Sequence, residues 1–112
     1  VTVRTDIVDA LKTVPELTPT GTMPDVIAAG TAWPEWAGNE PRTACGQLTT
    51  WYVYAALPAG NLASTVEAGD DFRDAIWNAL AMVAKVVRSE PWRIPIEPGQ
   101  QGIPVVRYTL EV

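Results

Sequence analysis

The 112-residue sequence predicts one α+β domain, a mostly antiparallel four-stranded sheet packed by two helices in the order α-β-β-α-β-β. Three observations carry that expectation. Two runs place apolar residues at helical spacing, two alternate apolar and polar positions as strands do, and a Pro-Gly turn joins the last two extended runs. Leu, Ile, Val and Phe make up roughly a quarter of the chain, above the level at which disorder becomes the default. So small a domain has little interior for a composition that is 47% hydrophobic, so part of the surplus is expected to face another subunit. Residues 1–112 show neither an internal repeat nor a linker.

The first helix is expected over residues 2–14, because Val3, Ile7, Leu11 and Val14 fall on one face. Thr2 is its N-cap, Asp6 suits the positive end, and Pro15 blocks continuation. Residues 17–29 are rich in Thr, Val and Ile, but Pro19 and Pro24 each remove a ladder donor, so an edge strand or irregular extended segment is expected. Residues 30–46 concentrate Gly, Pro, Asn and Glu around Trp33 and Trp36 and read as a long loop, a place where function collects. Residues 47–57 form the clearest strand. Trp51, Val53, Ala55 and Leu57 share one face and Leu48, Thr50, Tyr52 and Tyr54 the other, so both faces are expected to be at least partly covered.

Pro58 to Asn61 reads as a turn, and Ser64 with Glu67 matches a capping box. A long helix is expected from about residue 65 to Arg88. Phe72, Ala75, Ile76, Ala79, Leu80, Val83 and Val87 make its stripe, with acids early and Lys85 and Arg88 late. Residues 91–97 alternate Trp92, Ile94 and Ile96, and Pro95 again argues for an edge. A turn over 98–102 leads to a last strand, 103–112, with Val106, Tyr108, Leu110 and Val112 on one face.

Composition narrows the function classes. Eight Lys and Arg against thirteen Asp and Glu give a net charge of −5, no footprint for nucleic-acid binding. The longest charge-free run, between Arg42 and Glu67, is broken by Pro58 and Asn61, so no membrane span is expected. The first six residues carry an early acid and no apolar run, unlike a signal peptide, and the lone Cys45 offers no intrachain disulfide. Histidine is absent, and with it the commonest general base and zinc ligand, so no enzyme, metal or cofactor is expected. Asp70, Asp71 and Asp74 could be read as metal ligands, but at a helix start they are better explained as dipole partners. Cys45 has no histidine to activate it, Ser64 reads as a cap, and the Gly99/Gly102 pair joins two strands rather than cradling a phosphate.

The tryptophans are more telling. Trp51 and Trp92 alternate with core positions and read as packing rather than recognition, and Trp77 is open between core and interface. Trp33 and Trp36 are candidate interface anchors, against the reading that their loop folds back over the protein's own core. The expected interface set is Trp33, Trp36 and Arg42 from the loop with Phe72, Arg73 and Trp77 from the long helix, all chosen on surface chemistry.

Residues 3–11 (VRTDIVDAL), the stretch Ala32-Trp33-Pro34-Glu35-Trp36-Ala37-Gly38, the strand Thr50-Trp51-Tyr52-Val53 closing on Leu57-Pro58, and the final Tyr108-Thr109-Leu110-Glu111-Val112 together resemble the tail terminator, or tail-completion, proteins of long-tailed bacteriophages, especially those of actinobacteria. The likeness spans nearly the whole chain and lies in order and spacing. It implies a non-enzymatic virion protein, assembled in the host cytoplasm, that forms a hexameric ring on the head-proximal end of the tail tube. Such a ring stops tube polymerisation and presents a surface to the head-completion (stopper) protein, with DNA only as cargo passing through the lumen. The rival readings are another head-tail connector or tail tube component and, outside the virion, a small α+β ligand-binding module with an enclosed pocket.

Overall fold

The computed structural model describes residues 2–15, 17–41, 46–56, 62–95 and 102–112, with the side chains of 62–69 left out. Helix α1 spans Val3–Leu11. The Thr2 hydroxyl accepts from the Thr5 N–H at 3.2 Å, Asp6 sits in the first turn, and Ile7 and Leu11, four residues apart, are buried. Strand β1, Thr18–Pro19, is a two-residue parallel edge pairing with Thr31 and Ala32, in keeping with its two nearby prolines.

The segment expected as a loop over 30–46 is largely strand β2, Thr31–Pro41, paired antiparallel with β3, Gln47–Ala55. Its Gly and Pro content argued against a strand. A bulge at Ala37, between Trp36 and Gly38, absorbs the irregularity, and Pro34 and Pro41 are tolerated because β1 covers only the first two residues. Helix α2, Leu62–Ala81, begins slightly earlier than expected and ends well before Arg88. Residues 85–88 belong instead to strand β4, Lys85–Ile94, so Lys85 and Arg88 do not serve the end of a helix. The apolar spacing of Val83, Val86 and Val87 reads as a continuing helix, yet valine packs well on a pleated surface and β5 offers a full ladder there. Strand β5, Ile103–Glu111, closes the expected antiparallel hairpin, with Gly102 at φ 80° just before it. The turn 58–61, Ile96 and most of the 98–102 turn lie outside the described residues, as do the side chains of the Ser64 to Glu67 box.

The sheet is therefore five-stranded and mixed, in the order β1-β2-β3-β5-β4, rather than four-stranded. The α+β class and the two-helix layer stand. Alternation divides the sheet cleanly. Trp51, Val53 and Ala55 of β3 with Val106, Tyr108 and Leu110 of β5 face Ile7 and Leu11 of α1 and Phe72, Ile76 and Leu80 of α2. Each fully buried aliphatic side chain here contributes about 1.5–3 kcal/mol. The opposite face carries a smaller cluster, Trp33, Tyr54, Ala56 and Val105, partly covered by Ile27. Both faces of β3 are thus covered. The β2 arm, residues 33–41, runs with β3 past the end of β5, where Thr49 and Val112 exchange backbone hydrogen bonds, and the molecule measures 51 × 34 × 22 Å.

Candidate interface at the two sheet edges

The sheet's outer strands present different surfaces. On one side, β1 leaves β2 without a neighbouring strand from residue 33 onward. Arg4 of α1 reaches this edge, donating to the Pro34 carbonyl at 3.1 Å and to the Gly21 carbonyl at 2.5 Å, with its guanidinium 5.2 Å from the Trp51 ring centroid. Further along, Trp36 is 54% exposed, and its indole N–H donates to Asn39 Oδ1 at 3.2 Å. Glu35 and Glu40 are exposed on the same strand.

On the other side, all of β4 is an edge. Its hairpin with β5 is fastened by Arg107, whose guanidinium lies 3.7 Å from the Trp92 ring centroid and 4.4 Å from that of Tyr52. Arg107 donates to Glu90 Oε1 through Nε at 3.1 Å and also through Nη2. These hydrogen bonds from Arg107 hold the Glu90 carboxyl below its ordinary pKa, and the nearby Arg107 and Arg88 charges act in the same direction. Burial works most strongly against the Arg107 charge, but the hydrogen bond and charge of Glu90, with smaller contributions from Tyr54 and Tyr52, together outweigh it and raise its pKa. Burial also pushes the Tyr54 and Tyr108 hydroxyls up. Around this fastening, Lys85, Arg88, Trp92 and Arg93 are exposed.

Of the expected interface residues, Trp36 is at the surface, and Arg73 is partly exposed and paired with Asp70. Trp33 is not a surface anchor: at 1% exposure it stacks on Tyr54, ring centroids 5.6 Å apart, so the folded-back alternative describes it. Phe72 is likewise corrected, because it is buried in the helix-side core, while Trp77 packs half-buried against that core. Arg42 and Cys45 lie outside the described residues.

The residues that sequence reasoning missed are Glu35 and Glu40 on one edge and Lys85, Arg88 and Arg93 on the other. A signal was present. Residues 1–84 carry four bases against ten acids, whereas residues 85–112 carry four bases against three acids, so an acidic chain ends in a mildly basic hairpin. Open depressions flank both edges, about 280 Å³ beside Arg4, Pro34 and Glu35 and about 300 Å³ beside Trp92, Arg93 and Pro104. The arrangement is suited to contact with another macromolecule. No protein-family model matches the chain, and no curated protein matches it.

Proposed function

We propose that the chain is a non-enzymatic virion protein, a tail terminator of a long-tailed bacteriophage. Six copies form a ring on the head-proximal end of the tail tube, end its polymerisation and offer the head-completion protein its docking surface. The observation that carries the ring is the pair of unlike free edges on opposite sides of one sheet, the β2 arm and the β4 hairpin. A head-to-tail contact needs two different patches on each protomer, and rotation closes the set. The tail itself comes from the resemblance of residues 3–11, 32–38, 50–58 and 108–112. Exposed Trp36 and Trp92 place one aromatic on each edge, as interface anchors require. No helix among the described residues is long and apolar enough to cross a membrane, as suits a virion tail part.

The test is light scattering of the purified protein alone and with tail tubes from the same source, followed by electron microscopy of the tube ends. A six-fold ring at one end of the tube, and tubes that no longer elongate, is the expected result. A protein that never associates with tubes, or that itself polymerises into tubes, overturns the assignment.

A further inference from the structure

We infer that neighbouring copies meet through charge, with the acidic β2 arm of one docking on the basic β4 edge of the next through Glu35 and Glu40 against Arg88 and Lys85. This contact deepens the ring reading above and rests only on its head-to-tail part. The pairing register places these residues at matching heights. One row across the sheet runs Glu35, Tyr52, Thr109, Arg88, and the next runs Gly38, Thr50, Glu111, Lys85. Every residue of a row lies on the same sheet face, the one opposite the helices.

A copy related by rotation about an axis along the strands keeps its rows level with those of its neighbour. Its Glu35 therefore arrives beside Arg88, and its Glu40, two residues past Gly38, arrives at the end of the sheet where Lys85 sits. Glu35, Glu40, Lys85 and Arg88 are all exposed. Among the described residues Glu35 and Glu40 have no ion-pair partner, and the intrachain pairs of Lys85 with Glu111 and Arg88 with Glu90 are loose, 3.7 Å each. Trp36 stands on the opposite face of the arm, level with the gap between the two rows, and Trp92 lies further along the β4 edge, so each edge carries an exposed aromatic beside its charges.

Side chains rather than a continuous backbone ladder make this contact. Pro34 and Pro41 on one edge and Pro91 on the other lack N–H donors, and Arg4 already occupies the Pro34 carbonyl. The prolines thus guard both edges against indiscriminate strand addition, while the charge rows admit a partner carrying the complementary pattern, which is a second copy of this chain.

The experiment compares the full chain with Glu35→Lys/Glu40→Lys (arm variant), Lys85→Glu/Arg88→Glu (edge variant) and the combination of all four. Sedimentation velocity is run over a range of concentration and salt. Arg88→Gln is included because it avoids placing a new acid beside Glu90, and thermal melts confirm that each variant folds. The expected result is that the unaltered chain associates, less so at high salt, and that each two-site variant weakens association about tenfold or more. The combination, with its charges exchanged, recovers it. A one-to-one mixture of arm and edge variants also associates, with the two alternating, because each arm then meets an edge of opposite charge, whereas either variant alone does not. Association unchanged by the reversals, no recovery in the combination, or a wild-type chain monomeric throughout overturns the contact. Wild-type rings that seat on tube ends together with unaffected variants would remove the charge contact and keep the terminator. Charge-dependent rings that ignore tubes would do the reverse.

Discussion

The Arg107 guanidinium sits against both the Trp92 and Tyr52 rings, and its side chain, only 11% exposed, fastens the β4–β5 hairpin. Replacing it with Ala removes two cation–π contacts and the partner of Glu90, and about 2–3 kcal/mol of stability is expected to go with them. Arg88, 3.7 Å from the same carboxylate, keeps the loss at the lower end of the range for a broken pair. Urea denaturation of Arg107→Ala and Arg107→Lys checks this. The Lys variant should fall between, since it retains the charge but not the planar stack. Glu90 has the complementary signature. Its pKa is lower folded than unfolded, so its contribution is present above the ordinary carboxylate value of 4.5 and is lost as pH falls through the lower folded value. Denaturation midpoints of wild type and Glu90→Gln should therefore differ at pH 7 and converge as the pH drops below that range. The two β2 tryptophans separate in the same kind of measurement. Trp33→Ala is expected to cost about 3–5 kcal/mol in the monomer and Trp36→Ala within about 0.5 kcal/mol, its effect appearing in association instead.

At the scale of elements, legibility in the sequence followed how local the deciding interactions are. Helix α1 was readable because Thr2, Asp6 and the four-residue spacing of Ile7 and Leu11 are all within nine or ten residues. Strands β3 and β5 were readable because their alternation is unbroken over the residues that pair. Strand β2 was not, because TAWPEWAGNEP has poor strand propensity and becomes a strand only by pairing with β3 across a bulge. The end of α2 was missed for a related reason. Val87 is the extra residue of the β4 bulge, so the alternation that would have announced a strand is interrupted where it begins. The candidate rows are hidden with these elements, because a helix end at Lys85 and Arg88 and a loop at Glu35 and Glu40 give no row across a sheet. Trp36 is identifiable from its surface chemistry, whereas Trp33, three residues earlier and on the other face, is buried by its stack on Tyr54 in the second cluster, a contact across strands that local sequence does not show. The β4–β5 hairpin also contains a sharp geometric test. Gly102 has φ 80°, and a Cβ there would stand 2.5 Å from the Ile94 carbonyl oxygen. Gly102→Ala therefore meets both an unfavourable backbone region and a backbone clash, and is expected to cost about 1–3 kcal/mol in a denaturation series.

At the scale of the whole molecule, a net charge of −5 and the uneven placement of that charge act in opposite directions on assembly. Net charge repels copies at every orientation and is screened over about 8 Å at physiological salt, whereas a docked ionic row is local and partly shielded from solvent. Raising salt from very low values first relieves general repulsion and then weakens the specific rows. Association of the wild-type chain should therefore pass through a maximum with ionic strength instead of falling throughout. The arm and edge variants provide the controls, because they change the local rows in opposite senses of net charge: the arm variant moves the chain toward neutrality and the edge variant away from it. If net charge governed assembly, the arm variant would associate better than wild type and the edge variant worse. If the rows govern it, both associate less well, and the charge-exchanged combination, whose net charge equals that of wild type, recovers both the affinity and the maximum. Light scattering against salt for these four proteins distinguishes the two cases, with a six-copy particle of about 73 kDa from the 12.1 kDa chain as the expected endpoint.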